Sequence, residues 1–374
     1  MKKLAFVLFK YFPYGGLQRD MCRIAQACRS WGHQIHVYCL SWEGPVPDGF
    51  SVHQAEIKRL TNHARYRAFQ QALAHRFADE GIDCVIGFNR MPGLDIYYAA
   101  DSCFKEKLSH RSKLLQLSPR YRHFLEFEEA VFGPGSKTHA LLISPTQQAD
   151  FQRHYNTAPE RLHLLPPGIA RDRMAPPNAA GIRQAFRQEF GVAEDQRLLL
   201  AIGSGFKTKG LDRTLRAISA LPEGQRSRTR LLAMGSDNPA PFIRMAKRLG
   251  LAQQFEIISG RDDVPRFLQG GDLLIHPAYH ENTGTVLLEA LVAGLPVLTT
   301  ASCGYAYHVE QSGGGRVVPA PFEQAQLNQY LTEMLDSPQR EQWRKSGIQY
   351  GQTEDLYSMP ELAAGLILKQ AYGK

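Results

Sequence analysis

The stretch His276-Pro277-Ala278-Tyr279-His280-Glu281-Asn282-Thr283-Gly284-Thr285-Val286-Leu287-Leu288-Glu289 sets two carboxylates, Glu281 and Glu289, on either side of a glycine that opens an apolar run. Asn282, Thr283 and Gly284 lead into a predicted helix whose unpaired backbone N–H groups favour an anion. Glu289, if it turns from solvent toward a ligand, can accept hydrogen bonds from two neighbouring hydroxyls such as those of a ribose. On a solvated helix face it would do neither. A second stretch, Gly203-Ser204-Gly205-Phe206-Lys207-Thr208-Lys209-Gly210, places two lysines in a glycine-punctuated loop that opens a helix. Lys209, beside Gly210, is the better placed point charge for a diphosphate. A third, Gly15-Gly16, follows the first apolar run and allows close backbone approach by a phosphate. Neither G-x-G-x-x-G nor G-x-x-x-x-G-K-[ST] is present, which disfavours a dinucleotide-binding oxidoreductase and a P-loop NTPase.

These residues need strands to end beneath them and helices to begin after them. Short apolar runs alternate with amphipathic stretches in the manner of parallel βαβ units. Strands are predicted at 4–9, 35–40, 84–88, 96–100, 140–144 and 162–165, with helices at 17–31, 66–80, 105–132 and 146–155. After Leu164-Leu165-Pro166-Pro167-Gly168, which can continue neither a helix nor a central strand, the grammar restarts. Strands are then predicted at 198–202, 231–234, 255–258, 273–276 and 296–300, and helices at 211–221, 240–249, 263–269 and 285–293. The expected fold class is α/β, two facing Rossmann-like domains with a cleft between them. The first spans 1–167, with the helix at 354–374 packing back on it, and the second 168–353. Ligands in such folds meet the carboxyl ends of the strands.

A chain of 374 residues with 43% hydrophobic and 21% charged residues is an ordinary globular composition, which excludes a disordered or collagen-like chain. None of the six cysteines forms a C-x-x-C pair, and a reduced compartment is expected. The apolar run Leu4–Phe9 is cut short by Lys10 and Pro13 and reads as a strand rather than a signal peptide. No run reaches the roughly 20 apolar residues of a membrane span, so membrane contact would be peripheral. The net charge of +8 is unevenly spread: 21 Lys+Arg stand against 15 Asp+Glu up to Pro167, but 23 against 21 after it. Between Cys103 and His123 six basic residues, Lys105, Lys107, Arg111, Lys113, Arg120 and Arg122, face one acid, Glu106. An anionic surface is the expected partner of that segment. No nucleic-acid-binding module is recognisable, so nucleic acid is not the expected partner.

The two glutamates, preceded by an apolar strand ending in His-Pro and followed by Glu-Ala-Leu-x-Ala-Gly-x-Pro-Val, resemble the signature of retaining glycosyltransferase family 4, which has the GT-B fold. Lys-Tyr-Phe-Pro-Tyr-Gly-Gly-Leu-Gln-Arg-Asp (10–20), Ser-Trp-Glu-Gly (41–44), Gly-Phe-Asn-Arg-Met-Pro-Gly-Leu-Asp (87–95), Ser-Pro-Arg-Tyr-Arg-His (118–123) and Ala-Ser-Cys-Gly-Tyr-Ala (301–306) are similar to lipopolysaccharide core glycosyltransferases of the glucosyltransferase I type. The resemblance implies transfer of a hexose, glucose by family default, from a UDP-sugar to an inner-core heptose with the α configuration retained. It implies that Gly15, Gly16 and Lys209 meet the diphosphate, Arg261 the base region and Glu289 the ribose. Glu281 and the Asn282, Thr283, Gly284 and Thr285 amides would orient the donor sugar and β-phosphate. The family's loop usually carries Arg near 207–208, where this chain has Lys207 and Thr208.

With no D-x-D motif at a strand end, no metal and no other cofactor is expected; Asp262-Asp263 reads as a helix cap. Without an evident carboxylate nucleophile, same-face attack assisted by the leaving phosphate is expected. Asp101 is the candidate for acceptor positioning or base assistance, making Asp101, Glu281 and Lys209 the candidate catalytic group; Asp20 is a weaker candidate that could be a helix-surface acid. The basic segment then reads as a contact with the anionic cytoplasmic face of the inner membrane, and a monomer is expected. Open alternatives are an N-acetylhexosamine donor, another family 4 glycosyltransferase, or an inactive nucleotide-binding scaffold at the membrane.

Overall fold

The structure is a computed structural model that describes residues 1–13, 15–109 and 118–373. Two compact units divide the chain: unit 1 is Met1–Gly168 with Tyr357–Lys374, and unit 2 is Ile169–Leu356.

Unit 1 is built on a seven-stranded sheet in the order β5-β3-β1-β6-β7-β8-β9, all parallel. The strands are β1 (Lys3–Val7), β3 (Gln34–Cys39), β5 (Phe50–Gln54), β6 (Cys84–Gly87), β7 (Ile96–Ala99), β8 (His139–Leu142) and β9 (Leu162–Leu164). Two-residue strands β2 (Lys10–Tyr11) and β4 (Ser41–Trp42) pair beyond the ends of β1 and β3. Leu4, Ala5, Phe6 and Val7 are all fully buried, as expected of a strand covered on both faces. One face is covered by helix Gly16–Ser30, which inserts Met21, Ile24, Ala25 and Cys28, and by the last helix, Met359–Tyr372, which inserts Ala363, Ala364, Ile367 and Ala371. The other face carries Phe69, Phe127, Phe132 and Phe151 from helices Asn62–Glu80, Pro119–Phe132 and Pro145–Tyr155.

Unit 2 has a six-stranded parallel sheet in the order β12-β11-β10-β13-β14-β15. Its strands are β10 (Arg197–Ile202), β11 (Thr229–Met234), β12 (Phe255–Ile258), β13 (Leu273–His276), β14 (Val297–Thr300) and β15 (Gly315–Val318). Helices Leu211–Ser219, Ala240–Arg248 and Gln324–Leu335 close one face around Leu215, Phe242 and Leu331.

Two of the differences from the sequence reading have local causes. The single helix expected over 105–132 is instead Phe104–Ser109 and a second helix starting at Pro119, with 110–117 outside the described residues. Proline suits a helix's first turn, not its interior, and the Ser118 hydroxyl accepts the Tyr121 N–H at 3.4 Å. Strands β5 and β15, both edges, were not predicted because Ser51, His53 and Gln54 in one and Arg316 in the other break the apolar run. Helix Ala179–Glu189 was also not foreseen.

Candidate active site

In unit 2, β10 and β13 are adjacent and parallel, so the loops that follow Ile202 and His276 emerge at the same edge of the sheet. Glycine lets them touch. Gly210 has φ +78°, and a Cβ there would lie 2.0 Å from the Pro277 carbonyl oxygen. The Tyr279 N–H donates to Thr208 O at 2.7 Å, and the Arg213 guanidinium donates to the carbonyls of Pro277 and Ala278 at 3.1 and 2.9 Å. Arg213 is held over the Tyr279 and Phe322 rings, 3.6 Å from each centroid.

This clamp brings Lys209 Nζ to 2.5 Å from Glu281 Oε2. The backbone of Glu281 is fixed on both sides, its N–H donating to Ser302 O at 3.1 Å and its carbonyl accepting the Gly304 N–H at 3.0 Å. Burial pushes the Glu281 carboxyl upward, but the neighbouring His276 and the Lys209 ammonium outweigh it and bring it down to about 2. The group is therefore a carboxylate at neutral pH. Both side chains of the pair keep about a fifth of their surface exposed, at 23% and 20%.

The second lysine of the loop is engaged elsewhere. Lys207 Nζ donates to Asp212 at 2.7 Å and to the Tyr279 hydroxyl at 3.1 Å, contacts that raise its pKa. Gly284, at φ +85°, opens helix Thr285–Val292, with Asn282 and Thr283 partly exposed just before it. Glu289 is not on a solvated face: it is 5% exposed, with Arg173 Nε 3.5 Å from its carboxylate. Arg261 is exposed, paired with Asp263 at 2.6 and 2.9 Å, and lies over the Phe267 ring. The expected helix cap needs correction. Asp263 occupies the N-cap position of helix Val264–Gly270, yet its carboxylate binds Arg261 and Arg266 and caps nothing.

In unit 1, Gly15 caps helix Gly16–Ser30, and a Cβ there would fall 2.0 Å from Gln18 Oε1; at Gly16 the space is open. Asp20 is more than a surface acid, since it accepts the Tyr98 hydroxyl from the end of β7 at 2.8 Å. Asp101 follows β7 and is exposed. Its carbonyl is held by Arg90 and by Gln147, each at 3.0 Å. Of the basic segment, Lys105, Lys107, Arg120 and Arg122 are exposed, and the Lys105 ammonium also donates to His154 O at 2.9 Å over the Tyr155 ring. Arg111 and Lys113 lie outside the described residues.

Two family models match the chain, "Glycosyltransferase Family 4" over residues 14–173 and "Glycosyl transferases group 1" over 182–350. The lipopolysaccharide glucosyltransferase WaaG of Escherichia coli K12 is 45% identical over 97% of this chain and 98% of its own. The chain belongs to the lipopolysaccharide core glycosyltransferases. A crystal structure of WaaG superposes with a TM-score of 0.94, covering 97% of this chain and 99% of that one. The Anabaena protein HepE, solved with UDP-glucose, is 17% identical with a TM-score of 0.77 over 99% of this chain and all of that one, a likeness of fold alone. The protein is thus a glycosyltransferase of the GT-B fold.

For this glycosyltransferase, sequence reasoning missed four supporting residues. Asp237, after β11, accepts the N–H groups of Gly205 and Phe206, so a carboxylate of the protein already occupies those two amides of the loop. Arg173 stands beside Glu289. Glu128, fully buried, pairs with Arg90 at 2.5 Å and accepts the Phe104 and Lys105 N–H groups at 2.7 and 2.9 Å, holding the turn that follows Asp101. An acid after an apolar strand was a usable signal for Asp237; partnerships across 24 to 116 residues of chain have no local one.

Proposed function

We propose that this enzyme moves a hexose, glucose by family default, from a UDP-sugar to an inner-core heptose of lipopolysaccharide, retaining the α configuration and needing no metal. The observation that carries the reading is the Lys209–Glu281 pair, held at the carboxyl edge of the unit 2 sheet and followed by a glycine-opened helix start. Lys209 supplies the positive charge that a leaving diphosphate needs, and the N–H groups at Gly284–Thr285 add fixed dipoles. Glu281 and Asn282 accept hydroxyls of the donor sugar. Glu289, steadied by Arg173, takes the ribose, and Arg261 with its exposed guanidinium serves the base. By the family pattern alone, Gly15 and Gly16 are assigned to the donor diphosphate and Asp101 to the acceptor hydroxyl.

In the reaction the acceptor oxygen bonds to the anomeric carbon as the bond from that carbon to the β-phosphate oxygen breaks. The acceptor proton passes to the departing phosphate, so attack and departure share one face and configuration is kept. UDP leaves with its charge spread over Lys209 and the helix amides. Lys107, Arg120 and Arg122 face the anionic inner leaflet, each contributing about 1 kcal/mol near such a surface. No helix among the described residues is long and apolar enough to cross a membrane. The acting form is a monomer on the cytoplasmic face. The test is kcat/KM for UDP-glucose, UDP-galactose, UDP-N-acetylglucosamine and UDP-N-acetylgalactosamine on purified heptosylated core. UDP-glucose should lead; preference for an N-acetylated donor would replace the glucose assignment, and no turnover with any would reject the reading.

A further inference from the structure

His276, the last residue of β13, is 1% exposed, and its Nε2 has no hydrogen-bond partner although it stands 3.5 Å from Glu281 Oε2. An unpartnered buried ring nitrogen is costly unless a further state of the protein uses it. Three titratable groups face this imidazole. Glu281 comes from the loop that follows β13, Lys209 from the loop that follows β10, and Cys303 from the loop that follows β14. The backbone at and after His276 is pinned, His276 O accepting the Thr299 hydroxyl at 2.9 Å and Ala278 O the Thr300 hydroxyl at 2.9 Å, and the ring itself is buried.

Without ligand, the Glu281 carboxylate is bound by Lys209 at 2.5 Å, and His276 Nε2, at 3.5 Å, is near enough to favour the carboxylate without making a hydrogen bond to it. A bound diphosphate competes for the same ammonium. As Lys209 turns its protons to the phosphates, Glu281 loses its cation while negative charge arrives beside it. We infer that His276 is a positioning residue that takes up a proton when the donor binds and donates it to Glu281 as a hydrogen bond, holding the carboxylate in place after Lys209 has moved to the diphosphate. This rests on the donor reading above.

The electrostatics run in the same direction. Burial lowers the His276 pKa, and contacts with Cys303 and Glu281 more than compensate, while the Lys209 charge opposes protonation. Engaging Lys209 with an anion removes that opposition. Sites coupled this closely titrate as a group, so the proton count is the quantity to measure.

Isothermal titration of UDP-glucose into the full-length enzyme, in buffers of different ionisation enthalpy between about pH 6.5 and 8.5, reads that count directly. A UDP-sugar is the right probe because its phosphates are diesters with no proton to exchange in this range. The expected result is a net uptake of a fraction of a proton, with affinity falling as pH rises. An uptake of about half a proton weakens binding about threefold per pH unit. His276→Gln can still donate to Glu281 but cannot titrate; it should bind UDP-glucose within about threefold of wild type at neutral pH, with uptake abolished and the pH slope flat. Cys303→Ser removes the thiol but keeps a hydrogen-bonding group beside His276; because Cys303 raises the His276 pKa, the uptake should change in size without vanishing. Uptake that persists in His276→Gln, or disappears in Cys303→Ser, overturns the assignment. Binding to the wild-type enzyme without uptake overturns it while leaving the donor reading intact, whereas no binding of UDP-glucose or UDP-N-acetylglucosamine overturns the donor reading itself.

Discussion

The two ends of β13 carry carboxylates with opposite fates. Asp272, just before the strand, is 6% exposed and over-supplied with partners: Arg183 at 2.7 Å, Arg187 at 2.9 Å, Arg340 at 2.8 Å and the Leu198 N–H at 2.8 Å. Glu281, five residues beyond the strand, has one ammonium, one imidazole at 3.5 Å and a fifth of its side chain open. Burial pushes the Asp272 carboxyl up, and the arginines and the amide outweigh it. Both groups are held below their ordinary range, so a depressed pKa alone does not separate them. What separates them is unfinished coordination at the carboxyl end of the sheet, where parallel α/β folds meet ligands, against complete coordination at the amino end. The first leaves a carboxylate open to a ligand; the second ties strand, flanking helix and distant helix together.

The largest effect should come from breaking the finished end. Asp272→Ala strands three guanidinium groups, at least one of them mostly buried, and should cost about 3–5 kcal/mol of stability in urea unfolding, while kcat of the folded fraction stays near wild type. The sign of its pH dependence follows from the depressed pKa. The stabilisation is complete above the unfolded-state aspartate value of about 4 and drains as pH falls below it, so Asp272→Asn should flatten the acid limb of a stability profile.

Breaking the unfinished end should show first in the rate. Glu281→Ala and Lys209→Ala should each lower kcat of the folded fraction by at least about 100-fold, the scale of one lost transition-state contact; because the pair is only about a fifth exposed, each variant also leaves a largely buried charge without its partner and should lower the unfolding midpoint. Near-normal rates in both would erase the contrast between the two ends. The smallest effect lies away from β13. Changing Lys107, Arg120 and Arg122 to Gln should weaken binding to anionic vesicles by about 1 kcal/mol per residue, with UDP affinity unchanged; equal binding by variant and wild type would remove the membrane role of these three.

Much of this was legible in the sequence because buried parallel strands read as apolar runs. β10 (Arg197–Ile202) and β13 (Leu273–His276) fall within a residue of where predicted, and so do the helix starts that place Lys209 and Glu281. The edges β5 and β15 were not legible because Ser51, His53, Gln54 and Arg316 interrupt them, whereas the edges β9 and β12 keep Leu162, Leu164, Phe255, Ile257 and Ile258 and were. The same limit applies within the site. Glu281 and Glu289 announce themselves by spacing, but the pairing of Lys209 with Glu281 spans 72 residues and depends on Gly210 lying against Pro277. Asp272 shows the opposite failure: nothing in the local sequence tells a carboxylate that will be saturated by arginines 68 to 89 residues away from one that will wait for a substrate.

The most direct test of the account is transfer itself, measured with labelled UDP-glucose and purified heptosylated lipopolysaccharide core, comparing wild type, Lys209→Ala and a well-folded Asp272→Asn. Wild type and Asp272→Asn should each give an α-linked hexose on heptose, and Lys209→Ala at least about a 100-fold slower reaction. Equal rates from wild type and Lys209→Ala would contradict the account.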